Sequence, residues 1–192
     1  MRFGYVCGLS VALAGLWASA LTVTDWNRTK LNDSAVKDEA GNIKVLGTEG
    51  SWNDQGNTKE KVFDGDSATF FDPPTAATQA GPCWAGIELE EPMIVTRIRY
   101  FGRSNNKSRM YDCVFEAANE PDFSDAVLLH TASEADGWDG SNWGDVHVAR
   151  EETSVPFKYL RVRSPNDGIS GVADQRGQFC GNAGEVEFYG VT

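Results

Sequence analysis

From Ile43 to the end, the chain runs as short apolar stretches separated by clusters of Gly, Pro, Asn and Asp, a rhythm that predicts strands rather than helices. The strands expected are Ile43 to Gly47, Trp84 to Leu89, Ile94 to Tyr100, Asp112 to Ala118, Ala126 to Thr131, Asp145 to Val148, Tyr159 to Ser164 and Glu185 to Tyr189. Several alternate. Across Ile94 to Tyr100, Ile94, Thr96, Ile98 and Tyr100 are expected on one face and Val95, Arg97 and Arg99 on the other. Such strands with long loops and no fixed repeat predict a single antiparallel β-sandwich of the jelly-roll kind. Adjacent strand residues face opposite ways, and Phe70 rather than Phe71 is read as core; Trp84 is also read as core.

The first 41 positions read differently. Residues 1–20 have one basic residue, Arg2, an apolar run from Val6 to Trp17 and a small-residue exit at Ala18-Ser19-Ala20, the pattern of a secretory signal peptide. The run is too short for a spanning helix, so no membrane insertion is expected. Residues 21–41 are a polar lead-in, expected to be partly ordered with at most a short helix around Asp33 to Ala40, and 42–192 form the domain.

Charge narrows the partners. The 17 basic and 28 acidic residues give −11, which repels nucleic acid and anionic lipid headgroups. In an oxidising compartment, Cys83, Cys113 and Cys180 allow one disulfide and one odd thiol. Cys83 and Cys180 each lie in a Gly-rich stretch just before a strand and are the expected pair, whereas Cys113 sits in an apolar pattern as a buried thiol. Glycosylation sequons start at Asn27, Asn32 and Asn106.

The candidate chemistry is a metal turn. Asp64-Gly65-Asp66, with Thr69 three residues on and a distant Glu185, supplies hard oxygen ligands of the kind calcium selects. The spacing is not that of an EF-hand, and the bland reading is a surface Asp-Gly turn. No nucleophile elbow, zinc helix or phosphate loop is present, and His130 and His147 stand alone, so no catalysis is expected; Asp136, Asp139 and Asp145 read as loop acids.

The Asp-Gly-Asp turn followed by Thr69-Phe70-Phe71, the Cys83-Trp84-Ala85-Gly86-Ile87-Glu88-Leu89 strand, the Arg97 to Arg103 strand and the closing Gly184-Glu185-Val186-Glu187-Phe188-Tyr189-Gly190 come in the order seen in discoidin-type domains. The chain resembles the galactose-binding-like sandwich of coagulation-factor type C domains and many carbohydrate-binding modules. The resemblance implies calcium held by the Lys61 carbonyl, the Asp64 side chain, the Asp66 carbonyl, the Thr69 carbonyl and hydroxyl, the Gly184 carbonyl and the Glu185 side chain, acting as a structural staple. It further implies a glycan site built from Phe71 and Asp72, Arg103, Asn105 or Asn106, and Phe179, with Asp72 standing where galactose-preferring modules have a His. Arg103 and Arg109 can equally serve as braces of the loop that follows. Trp52, Trp138 and Trp143 read as lids over the sandwich end more than as stacking platforms. The expected function is a secreted, lectin-like module for a terminal neutral or amino sugar, acidic sugars being repelled by Asp72. The alternative is an extracellular protein-binding adhesion or effector domain, which exposed Trp138 and Trp143 would favour.

Overall fold

The computed structural model describes residues 29–74, 82–148, 154–165 and 182–191. Among these residues eight antiparallel strands are formed: β1 Thr29–Lys30, β2 Val45–Gly47, β3 Trp84–Gly102, β4 Val114–Ala118, β5 Val127–Thr131, β6 Gly144–His147, β7 Phe157–Arg163 and β8 Ala183–Val191. The strand β3 organises the sandwich. Its first half pairs with β2 and β7, and its second half pairs with β6 and β8. Two segments expected as separate strands are therefore one, carried through the exposed Glu90-Glu91-Pro92 stretch from one sheet into the other. Proline lacks an N–H for the ladder, and the β3–β7 register shifts between Glu88 and Met93.

The sheets close on an aromatic core. Tyr100 of β3 and Phe188 of β8 meet Phe115 of β4, at ring-centroid distances of 5.3 and 6.5 Å. Ile87, Ile98, Leu129, Leu160, Val162 and Val186 fill the space around them and are fully buried. Burying each such side chain contributes roughly 1.5–3 kcal/mol. All-β sandwich is the fold, as its punctuation and alternation imply.

Two local expectations are corrected. A bulge between Val95 and Arg97 in the β3–β8 ladder resets the alternation, burying Val95 beside Thr96 and leaving Ile94 half-exposed. The lead-in is extended rather than helical beyond a short 3-10 turn at Leu31–Ser34: Ala35 and Lys37 bridge to Leu89 and Ile43. Leu31 and Ala35 are buried, so the sandwich begins ahead of residue 42. Asn32 is built in as well. Its amide donates to the Val186 carbonyl at 2.8 Å and accepts the Phe188 N–H at 2.9 Å, and at 2% exposure it is no acceptor for a glycan in the folded chain.

Trp84 is half-buried rather than core, packed edge-on to Phe123 at 5.5 Å with Arg161 nearby. Cys113 is a buried thiol donating to the Arg109 carbonyl. Cys83 is also buried, whereas Cys180, its expected partner, lies outside the described residues, as do the 1–20 leader and Asn27. No helix among the described residues is long and apolar enough to cross a membrane.

Candidate functional site

The acidic turn folds on itself before it meets anything else. Gly65 takes a left-handed φ of 80°, which an L side chain rarely adopts, and this lets the Asp66 N–H reach Asp64 Oδ1 at 3.0 Å. The Thr69 hydroxyl lies 3.1 and 2.9 Å from the two Asp64 carboxylate oxygens and 3.1 Å from the Asp66 carbonyl. Asp66 itself accepts the Ala68 N–H at 2.9 Å.

Glu185 arrives from β8, 120 residues away, and its Oε2 accepts the Gly65 N–H at 2.9 Å. The first long loop and the last strand are thus tied at one point. Gly184 makes the approach possible: a Cβ there would stand 2.6 Å from the Thr69 carbonyl oxygen. Glu185 is 3% exposed, and burial pushes its carboxyl up to about 7; the nearby Asp64 charge adds to this, while the Gly65 N–H and Lys30 pull the other way. Lys61 sets its ammonium 3.4 Å from Asp64 Oδ2.

This cradle fits a hard cation. Its donors are carboxylate, hydroxyl and carbonyl oxygens, the set calcium takes, and two carboxylates brought near one another are best reconciled by a divalent ion beside them. Among the described residues no group of three His, Cys, Asp or Glu gathers, so the chemistry here rests on two carboxylates supplemented by main-chain and Thr69 oxygens.

Beside the turn lies a cleft of about 400 Å³, walled by Ser67 to Phe70 on one side and Gly102 to Asn105 on the other. Arg103 spans it. Its guanidinium lies 4.3 Å over the Phe70 ring, its Nε donates to Asn105 Oδ1 at 2.9 Å, and its Nη1 stands 3.6 Å from Asp72 Oδ2.

Of the residues expected to touch a glycan, Arg103 and Asn105 line this cleft. Phe71 does not. It is fully buried, its N–H donating to the Ala183 carbonyl at 2.8 Å, and a ring without exposed surface cannot stack on a ligand. Phe70 takes the outward place, so the assignment of the two phenylalanines is reversed. The alternation argument holds, but its phase was set by the pairing of Phe71 to β8. Asp72 turns inward at 9% exposure, with Oδ1 accepting the Asn182 amide at 2.8 Å, so it braces Arg103 instead of facing a sugar. Asn106 donates to Asn105 Oδ1 at 3.0 Å and supports it from behind. Phe179 lies outside the described residues.

Asn182 is the residue that sequence reading missed. Fully buried with φ 50°, it donates to Asp72 and to the Phe71 carbonyl, accepts from Arg109, and receives the Arg103 N–H on its own carbonyl at 3.0 Å. A single amide therefore joins both cleft walls to the start of β8. Its position in a Gly-Asn-Ala-Gly run was the available signal, since Asn tolerates left-handed backbone and caps its neighbours. Burial lowers the Arg109 guanidinium from its ordinary value; Asp72 opposes this and Arg103 adds to it.

Comparison with solved structures then identifies the chain. The CBM62 of Clostridium thermocellum Xyl5A superposes with a TM-score of 0.61 at 37% identity, over 77% of this chain and 93% of that one. This protein belongs to CBM62, a family of carbohydrate-binding modules. Wider likeness concerns the fold alone. A striped bass (Morone saxatilis) serum fucolectin aligns at 10% identity and TM-score 0.56, over 87% of this chain and 49% of that one. A Clostridium perfringens CBM32 solved with GalNAc-β-1,3-galactose aligns at 16% identity and TM-score 0.54, over 84% and 99%. No protein-family model matches this CBM62 chain, and no curated protein does. The galactose-binding-like sandwich is shared by all three structures.

Proposed function

We propose that this CBM62 chain is a secreted, non-catalytic module that holds a terminal neutral or amino sugar in the cleft between Thr69-Phe70 and Arg103-Asn105, with calcium as a structural staple at Asp64, Thr69 and Glu185. The observation that carries the reading is the placement of the cleft directly on the metal turn, since Ser67 to Thr69 belong to both. A guanidinium and an amide held by partners already in place present hydrogen-bond donors to sugar hydroxyls at little entropic cost. A bound calcium would supply the charge that keeps Glu185 ionised; the Lys61, Asp66 and Gly184 carbonyls complete the proposed ligand set, and no water-activating step is assigned to the ion. Preference against acidic sugars rests on the chain's −11 net charge, because Asp72 is occupied inside. The leader at 1–20 and the Cys83–Cys180 pairing belong to the same proposal.

The protein-docking alternative loses its main support. Trp138 is 1% exposed, its indole N–H donating to the Lys107 carbonyl, and Trp143 is half-buried beneath the Arg99 guanidinium. A glycan array read with calcium present and then with chelator tests the function. Binding of galactose-type termini weakened in Arg103→Ala, with the fold intact, is expected; an array without any glycan signal from the wild-type protein sinks the reading.

A further inference from the structure

Sugar sites commonly set an apolar ring against one face of the pyranose. In this cleft Phe71 is buried and the Phe70 ring is covered by Arg103 at 4.3 Å. Among the described residues, the one exposed aromatic side chain is Trp52, at 39%. Its backbone is bonded to the chain two residues beyond Phe70, the end of one cleft wall. The Trp52 N–H donates to the Asp72 carbonyl at 2.7 Å, and the Asp72 N–H donates to the Asn57 carbonyl at 2.8 Å, so the Trp52 loop is clipped at both ends to the segment that continues from Phe70.

The loop is also locked within itself. Buried Ser51 accepts the Gly56 N–H on its hydroxyl at 3.0 Å, Gln55 donates to the Trp52 carbonyl at 3.2 Å, and Asn53 and Asp54 take left-handed φ of 48° and 52°. Two successive non-glycine residues in that region cost energy that only a well-determined loop sustains, and such strain gathers at binding sites. A Trp held out in water on a rigid, strained loop, joined through Asp72 to the cation of the cleft, is placed to receive a ring.

We propose that Trp52 is the platform of a second subsite, where the sugar next to the terminal residue stacks, so that the module reads a disaccharide end rather than a lone monosaccharide. The inference rests on the proposed glycan function. Phe70, Arg103 and Asn105 set the first position, and Trp52 sets the second.

The test is calorimetric titration of the whole chain with two pairs of probes, galactose with lactose and N-acetylgalactosamine with N-acetylgalactosamine-β-1,3-galactose. In the wild-type protein at least one disaccharide is expected to bind about tenfold more tightly than its monosaccharide, the size of an aromatic stacking contact. In Trp52→Ala that advantage collapses toward unity, and Trp52→Phe restores part of it, with unchanged thermal midpoints showing that the loop is not needed for folding. Arg103→Ala weakens both members of a pair and keeps their ratio. The proposal is overturned by a disaccharide advantage that survives Trp52→Ala. It is equally overturned if wild-type protein binds monosaccharides but no disaccharide better, an outcome that leaves the glycan function standing. A wild-type protein that binds none of the four probes overturns both.

Discussion

Glu185 and Glu116 are buried to nearly the same degree, 3% and 7% exposed, yet their surroundings drive them in opposite directions. For Glu116 on β4, burial alone would raise the carboxyl; Arg163 and Arg161 of β7 outweigh it with hydrogen bonds of 2.6 to 2.9 Å and hold it below the usual range. For Glu185 on β8, burial wins and the group rises to about 7; the Gly65 N–H and the Lys30 charge pull it back only in part, and Asp64 across the turn adds to the rise. The first site is satisfied within the chain, and the second is where we propose that a cation binds. A buried acid that the fold satisfies is architecture; one that it leaves short of positive charge marks where something else is to bind.

The contrast is sharpest under substitution. Glu116→Ala leaves the half-buried guanidiniums of Arg161 and Arg163 side by side on β7 without their shared carboxylate, and the loss expected is about 3–5 kcal/mol by chemical denaturation, the same with calcium or with chelator. Equal stability of the variant and the wild-type protein would show that Arg161 and Arg163 find other partners.

The pH response of the metal-free protein comes next in size. Because the folded-state value of Glu185 lies above its ordinary 4.5, the folded chain holds a proton there that the unfolded chain releases, so this group's contribution to stability is full below pH 4.5 and is lost as pH rises through 7. The fall amounts to roughly 2–4 kcal/mol, and Glu185→Gln should flatten it. Glu116, Asp136 and Glu187, whose values are lowered, contribute with the opposite sign and only in the acid range below their ordinary values. A wild-type curve that rises between pH 4.5 and 7 in chelator would refute this account of Glu185.

Calcium should reverse that slope. Binding requires ionised Glu185, so the metal competes with the proton and stabilises more as pH climbs through 7. At a hundredfold excess over its dissociation constant the gain is about 2.7 kcal/mol. Asp64→Asn and Glu185→Gln should abolish it while Glu116→Gln keeps it. A midpoint indifferent to calcium in the wild-type protein removes the staple.

What the sequence made legible follows from the same contrast. Punctuation by Gly, Pro and Asn announced most strands, and the meeting of the Asp64 turn with Glu185 was readable because both stand where the discoidin-type resemblance has them; an Asp-Gly turn alone is too common to point to a distant partner. The phase of Phe70 and Phe71 was not, since which of two neighbouring rings is buried depends on the partner that Phe71 N–H finds on Ala183. The bulge at Val95 inverted an alternation for a similar non-local reason. The role of Asn182 was harder to read: its Gly-rich run signals left-handed backbone, but its bonds span 110 residues and nothing in its own neighbourhood names their partners.

The smallest effect concerns how the cleft cation is aimed. Arg103 is held by Asn105 at 2.9 Å, a bond between a charged and a neutral group, and by Asp72 at 3.6 Å, a contact longer than a hydrogen bond and acting through charge. Asp72→Asn keeps an oxygen to accept the Asn182 amide and removes only the charge, so folding is expected to change by less than about 1 kcal/mol. Arg103 then rests on Asn105 and the Phe70 ring, and calorimetry should show affinity for the wild-type protein's best array glycan falling about two- to fivefold, chiefly through a less favourable entropy as the guanidinium regains freedom. An unchanged affinity would assign the aiming to Asn105 and make Asp72 purely a strut for Asn182. Salt separates these two roles without any mutation, because a charge contact at the cleft rim weakens as ionic strength screens it whereas the inward Asp72 to Asn182 bond does not.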